Sequence, residues 1–487
     1  MPAESQLVIR LMGEDLDGLT RYALYYRPMD LGFDTVGNGT LVAYDSGPVL
    51  VTDPWVVGHA YFGSWGLSHE IPKEQLEQIR LAPYVWISHG HPDHLQWESL
   101  ELLRGKTILL PDHKGARIAD ALQDSGHRVQ VLDDRSWIRL SERIRIWNFT
   151  DQNQDAGLLV ELDGSTLVVN LNDLGNSGWF PAIRKIVSQY PTAVVMAASG
   201  YGDIRGMNHW DPEGAPIPSF AQIRKETGVR IGLENARLTD TLGGTHFVPF
   251  SSMHQYQRDD SEWSNAYLTS LGEFTHGYQS SQSVPLPAYI RYEVNGEISE
   301  LKPQEIERQV QSSIEFGDDW SEVLSRAESG EVTNYFENIR TLATDLDFVT
   351  VRVGGQEHGC RYSNGGVGIS FEVPRGSLLT TVRHRIWEDL ILGNFMRTTW
   401  HGWSVADGMA GFLPLVKYAD QANVTTDKEL ASYMRIYKQR MGRFAMHRHN
   451  VEQALIGYAQ RSGASESSIY RTGRTAYRRI VDGTSRI

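Results

Sequence analysis

Three histidines and an aspartate fall within six positions of this chain: His89, His91, Asp93 and His94, in the stretch WISHGHPDHL at residues 86–95. Imidazole nitrogen and carboxylate oxygen are ligands for zinc, iron, manganese and cobalt, so the residue types point to a metal without choosing it. The stretch follows the apolar run YVWIS, which reads as a buried strand, so His89 and His91 leave a strand end on a tight loop. Spaced by one residue, they can point the same way and chelate one ion. Asp93 and His94 lie one step further on and can turn to a second ion, and two ions held close together can share a bridging oxygen species. Asp93 can also orient a metal-bound water. A histidine-rich surface loop accounts for one such residue; four ligands in the pattern His-x-His-x-Asp-His directly after a strand point to a metal centre.

The elements around the motif form a layered α/β pattern. TLVAYDSGPVLVTDP reads as two strands joined at Ser46-Gly47-Pro48, EQLEQIRLA as a short amphipathic helix, and TILLPD, ARIADALQDSG and RVQVL as strand, helix and strand. RIRIWNF, AGLLVELDG and TLVVNLND read as successive strands with a turn at Asp163-Gly164. PAIRKIVSQYP is a predicted helix, and AVVMAA and THFVPFSS are predicted strands. Pro and Gly near SVPLPAYIRYEVNGEI mark a boundary, which divides the chain into residues 1–285, carrying the motif, and an α+β domain at 286–487. In the second part EIERQVQSSIEF and WSEVLSRAESG read as helical, DFVTVRVGG and GVGISFEVPRG as strands, and the chain from about Asp427 onward as largely helical.

Composition removes several function classes. The one cysteine, Cys360, excludes a disulfide or a Cys-ligated iron–sulfur centre within the chain. No run is long and apolar enough to cross a bilayer, and MPAESQLVIRLMGEDL has no signal-peptide pattern; a cytoplasmic protein with no membrane role is expected. Net charge is −14, but residues 431–487 carry eleven Lys/Arg against three Asp/Glu. That basic end reads as a solvated helix face or an oligomer contact, since no nucleic-acid-binding motif accompanies it. His447 and His449 lie there at a spacing that puts them on different faces of a helix. Cys360 reads as a small buried hydrophobe, and Trp55, Trp65 and Trp97 as core residues or as walls of a pocket beside the motif.

HGHPDH resembles the signature of the metallo-β-lactamase superfamily, which implies an αββα sandwich with its metals at one edge. The resemblance assigns further residues in order along the chain. Asp53, ending VLVTDP, matches a strand-end aspartate that supports the ligands, and Asp173, ending LVVNLND, matches the aspartate that bridges the two metals. Two positions depart from the family. The loop NFTDQNQDAG, where a histidine is usual, offers instead Asp151, Asn153, Gln154 and Asp155. A carboxylate there makes the site harder and favours iron or manganese over zinc. The last family histidine is matched by His254 in THFVPFSSMHQY, with His246 and His209 as alternatives. His69 and Glu70 in GLSHE are either a helix-start pair or a further lining of the site.

TDPWVVGHAYFGSWGLSHEIP, VWISHGHPDHLQWESLELL, DAGLLVELDGSTLVVNLND and FEVPRGSLLTTVRHRIWEDLILGNFMRTTWHGW are similar to the metallo-β-lactamase-like part of CMP-N-acetylneuraminate hydroxylases. The oxygen-rich loop also resembles that of the diiron β-hydroxylase of chloramphenicol biosynthesis. These resemblances imply a non-haem diiron oxygenase acting on a small molecule with O₂. Electrons then come from a separate donor, because one cysteine cannot build a Rieske centre. The runner-up is a zinc- or manganese-dependent hydrolase of an ester, lactone, amide or phosphodiester. A non-catalytic metal-binding protein on the same fold is the third reading.

Overall fold

The computed structural model describes residues 29–175, 178–198, 206–294 and 296–441. Alternation along the strands sorts their apolar side chains into separate layers. In Thr40–Asp45, Leu41 and Ala43 enter one apolar cluster while Val42 and Tyr44 enter another. In Ala156–Leu162, Leu158, Val160 and Leu162 share the first cluster, and Leu159 points away from it. A strand has a side-chain period of two, so a strand apolar on both faces belongs to a sheet covered on both sides.

Two sheets meet over that shared cluster. The first runs Ile298–Glu300, Ile290–Glu293, Leu31–Gly37, Thr40–Asp45, Pro48–Thr52, Tyr84–Trp86, Thr107–Pro111 and Arg128–Leu132. The second runs Val284–Pro285, His246–Phe250, Thr192–Ala198, Thr166–Asn172, Ala156–Leu162, Ile144–Thr150 and Trp137–Arg139. Helices Lys73–Leu81 and Arg117–Asp124 cover the outer face of the first through Ile79, Ala119 and Leu122. Helices Phe180–Val187 and Ile231–Leu242 cover the second through Ile183, Val187 and Leu242. The expected αββα sandwich is thus present.

A third sheet runs Pro216–Ile217, His209–Trp210, Arg397–His401, Gly368–Glu372, Phe348–Val353 and Gln356–Arg361. It shares its core with helices Arg326–Asn338, Arg375–His384, Trp387–Leu392 and Val405–Ala422. The two units interleave rather than dividing at 285/286. Ile290–Glu293 pairs antiparallel with Leu31–Gly37, and His209–Trp210 pairs with Arg397–His401. The Pro- and Gly-rich stretch near 286 is a turn between two strands of the sandwich, not a linker.

The segment EIERQVQSSIEF, read as helical, is extended instead, with a short 3₁₀ turn only at Ser313–Phe316. Its backbone is tied to the site loops: Ile306 N–H donates to Ser68 O and Gln311 N–H to Gln257 O. Those inter-segment bonds override a weak helical pattern. In WSEVLSRAESG the helix begins only at Arg326, where Ser325 and Glu328 form a capping box. The helix Asp427–Met441 follows as expected; the rest of the basic end, with His447 and His449, and the first residues of the chain lie outside the described residues.

Pro48–Thr52, Tyr84–Trp86 and Thr107–Pro111 are mutually parallel, as are Thr166–Asn172, Thr192–Ala198 and His246–Phe250. Ligands bind beyond the carboxyl ends of such strands. Asp53, Ser88, His89, His113, Asp173 and Ser251 all follow one of those ends.

Candidate metal centre

The motif turns back on itself immediately after its strand: His94 N–H and Leu95 N–H both donate to His91 O. His89 Nε2 and His91 Nδ1 converge to 2.8 Å. His94 Nε2 lies 3.2 Å from Asp93 Oδ2 and 3.3 Å from Asp173 Oδ2, and His89 Nε2 is 3.7 Å from the same Asp173 oxygen. One donor atom each from His89, His94 and Asp173 fits within 4.8 Å. The structure therefore gathers His89, His91, Asp93, His94 and Asp173, and Asp53 lies behind them.

Each imidazole of the motif has its other nitrogen held by an oxygen. Ser88 Oγ is 2.8 Å from His89 Nδ1, Asp53 Oδ2 is 3.2 Å from His94 Nδ1, and Glu388 Oε2 is 2.9 Å from His91 Nε2. A metal-ligating histidine commonly donates its outer ring N–H in this way, which fixes the tautomer and the ring orientation. Ser88 N–H and Oγ–H both donate to Asp53, and Asn172 Nδ2 donates to Asp53 and Ser88, so the supports are themselves linked. Asp93 accepts from Tyr61 OH at 2.6 Å and from Asn38 Nδ2 at 3.0 Å.

The backbone is strained around this cluster. Asn38, Asp53, Tyr61, Asn172 and Ser251 all have positive φ, between 39° and 61°, although none is glycine. Such conformations persist only where surrounding contacts enforce them. Gly39 shows the crowding: a Cβ there would lie 2.9 Å from His94 Nδ1 and 3.2 Å from Asp53 Cβ.

Electrostatics follow from burial and pairing. Burial and the neighbouring imidazoles of His94 and His91 push His89 well below the usual histidine value. Burial opposes charge on His94, but Asp93 and Asp173 outweigh it and hold His94 well above that value. Burial raises Asp93, yet His94 outweighs burial and keeps its carboxyl ionised. Burial pushes Asp389 up to about 7.

The remaining expected residues divide. Asp155 reaches the site edge, where Lys417 Nζ lies 3.3 Å from its Oδ1 and 3.0 Å from Glu388 Oε2. Asp151 is fully buried and accepts from the N–H groups of Asn153 and Asp155, which closes the turn presenting Asp155. His254 is 4% exposed and lies flat on Trp65, and burial pushes it down to about 3. His209 sits in the third sheet, where Trp400 Nε1 donates to its Nδ1, and His246 meets Thr245 Oγ1. His69 pairs with Ser68 and Tyr289 rather than with the cluster. Trp55 is buried and Trp97 is half-exposed.

A metal fits these residues. Asp173 Oδ1 and both ring nitrogens of His254 are buried without a hydrogen-bond partner, and His94 Nε2 meets only the carboxylate oxygens of Asp93 and Asp173. Orphaned buried polar atoms are rare and costly, and coordination would account for Asp173 Oδ1 and for one ring nitrogen of His254.

Glu388, Lys417, Tyr61, Asn38 and Asn172 were not singled out from the sequence. Glu388 and Asp389 are a charged pair heading an otherwise apolar helix, WEDLIL, and that contrast is the signal that marks them. Asn172 immediately precedes Asp173. Nothing in the sequence separates Tyr61 or Asn38 from other loop residues.

No family model matches the chain. It is 32% identical over 119 residues to the cytidine monophosphate-N-acetylneuraminic acid hydroxylase of Asterias rubens, covering 24% of this chain and 17% of that protein. With the hydroxylase of Gorilla gorilla gorilla it is 29% identical over 128 residues, 24% of this chain and 21% of the relative. The matches thus span about a fifth of the length of these curated relatives. Among solved structures, the chain is similar to CmlA, a diiron beta-hydroxylase from Streptomyces venezuelae (TM-score 0.36, 13% identity, 58% of each chain). It is also similar to Igni18, a metallo hydrolase from Ignicoccus hospitalis (TM-score 0.34, 17% identity, 56% of this chain and 99% of that one). The chain therefore resembles cytidine monophosphate-N-acetylneuraminic acid hydroxylases over about a quarter of its length, and it folds as an αββα sandwich.

Proposed function

We propose that this chain is a non-haem dimetal oxygenase that hydroxylates a small-molecule substrate with O₂ and electrons from a separate donor, in the cytoplasm. The observation that supports this reading is the donor set beside His91. Where a third imidazole is usual, the site edge carries the carboxylate of Asp155, which Lys417 joins to Glu388. An oxygen-rich set of this kind suits iron better than zinc. The similarity to hydroxylases points the same way.

His89, His91 and Asp155 would hold one ion, Asp93, His94 and His254 the other, with Asp173 between them. Bound iron supplies the redox chemistry with O₂, which no side chain here can provide. The chain's own residues do the rest. Asp53 and Ser88 orient the ligands, and Asn172 holds both of them in place. Tyr61 and Asn38 fix Asp93 by donating to both of its oxygens. Trp65 closes the wall behind His254.

A hydrolase is the second reading. The convergence of His89, His94 and Asp173 would also serve zinc or manganese, whose bound water has a lowered pKa and would be oriented by Asp93.

Stopped-flow mixing separates the two. Ferrous-loaded, reduced protein is expected to react with O₂ in a phase whose rate rises with O₂ concentration and is lost in His91→Ala. Ferrous protein inert to O₂, together with turnover of an ester or lactone by zinc-loaded protein, would sink the oxygenase reading.

A further inference from the structure

Glu388 comes from the third-sheet unit, 297 residues after His91, yet its Oε2 lies 2.9 Å from His91 Nε2. Its carboxylate is not free to wander. Lys417, 9% exposed, approaches the same Oε2 at 3.0 Å and reaches Asp155 Oδ1 at 3.3 Å. The Glu388 carboxylate, paired with the Lys417 ammonium, is the acceptor beside His91 Nε2, whereas His91 Nδ1 faces His89 Nε2 at 2.8 Å. A neutral imidazole carries one N–H. If Nε2 donates to Glu388, Nδ1 is left with its lone pair directed at the shared centre.

The same division of labour holds for the other two imidazoles. Their outer nitrogens meet Ser88 Oγ and Asp53 Oδ2, both from the sandwich. His91 alone is served from outside the sandwich. The helix that presents Glu388 is anchored independently of the metal: Trp387 is fully buried, and its N–H donates to Asp420 Oδ2 at 3.0 Å.

We propose that Glu388 is the positioning residue for His91: by accepting the Nε2–H it fixes Nδ1 as the ligand atom, and with Lys417 and Asp155 it makes metal affinity depend on docking of the third-sheet unit. This rests on the metal centre described above but not on which reaction that centre performs. Glu388 acts through His91 rather than as a ligand itself.

Cobalt(II) is the probe, because its visible absorption reports binding and it shifts the ring N–H protons of ligating imidazoles far downfield. Metal-stripped full-length protein is titrated with Co²⁺ against a competing chelator, as wild type, Glu388→Gln, Glu388→Ala and Lys417→Met. Loss of an outer partner typically costs 10–100-fold in affinity, and that weakening is expected for Glu388→Ala. Glu388→Gln keeps an acceptor oxygen and is expected to restore most of the affinity. Lys417→Met, which frees the Glu388 side chain, is expected to fall between. One exchangeable downfield N–H signal present in wild type and Glu388→Gln is expected to vanish in Glu388→Ala. Unfolding of the stripped proteins checks that all four fold alike.

Unchanged affinity in Glu388→Ala, or Glu388→Gln as weak as Glu388→Ala, would overturn the proposal while leaving the metal centre standing. Wild-type protein that binds no Co²⁺ would overturn the metal centre and the proposal together.

Discussion

His254 lies flat on Trp65, with ring centroids 3.5 Å apart and planes within 3°, and neither of its ring nitrogens has a hydrogen-bond partner. Stacking on an indole fixes the plane of the ring but satisfies no polar atom. A buried histidine left in that state costs free energy unless something coordinates it. His254→Ala is therefore expected to lower metal content from two ions per chain towards one, read by elemental analysis. Trp65→Leu is expected to keep both ions but loosen one of them. Two ions retained at full affinity in His254→Ala would remove His254 from the ligand set.

Gly39 is required by close approach. An alanine Cβ would press on His94 and Asp53, both fully buried. Gly39→Ala is expected to fold and to bind metal at least about tenfold more weakly, since a displaced supporting contact costs that much. Chelator competition and unfolding on the same sample check it. A fold-wide loss of stability with normal affinity would contradict the assignment.

Arg258 and Asp318 form a fully buried ion pair at 2.7 Å, and Asp318 also accepts from Ser377 N–H. The pair ties the loop after His254 to the third-sheet unit. Arg258 also pairs with Asp260 at 2.8 Å, so Asp318→Ala leaves the guanidinium one carboxylate and is expected to cost about 1.5–3 kcal/mol in urea unfolding.

Asp420, which anchors the helix carrying Glu388, offers a pH dependence of stability. Burial pushes its carboxyl up to about 6, against hydrogen bonds from Trp387 N–H and Tyr335 OH. The folded chain then holds a proton that the unfolded chain releases near 4, so stability falls as pH rises between about 4 and 6 and is level above that. Asp420→Asn is expected to lose this slope and to gain about 1–3 kcal/mol at pH 7. Unfolding from pH 4 to 8 tests it; an unchanged slope would place the dependence on another group.

What the sequence made legible was set by the range of the interactions involved. The motif at 89–94 and the strand ends at Asp53 and Asp173 are local: a strand pattern and a following ligand suffice to place them. The sandwich was readable for the same reason, because Leu41/Val42 and Leu158/Leu159 alternate within single strands. The helical reading of the segment 305–316 fails because its largely extended form is set by backbone bonds to Ser68 and Gln257, far away in sequence. Glu388 and Lys417 reach His91 and Asp155 from 297 and 262 residues away, and no local pattern records that meeting. The division at 285/286 missed the interleaving of the units because pairing of Ile290–Glu293 with Leu31–Gly37 is equally non-local.

The most direct test of the central claim is the metal content of protein purified without added metal, taken with an optical spectrum in air and after anaerobic reduction. The expected result is about two irons per chain, as the donor set implies, with charge-transfer absorption that bleaches on reduction and returns with O₂. Zinc as the bound metal, with no absorption and no response to O₂, would contradict the oxygenase account and leave the hydrolase in its place.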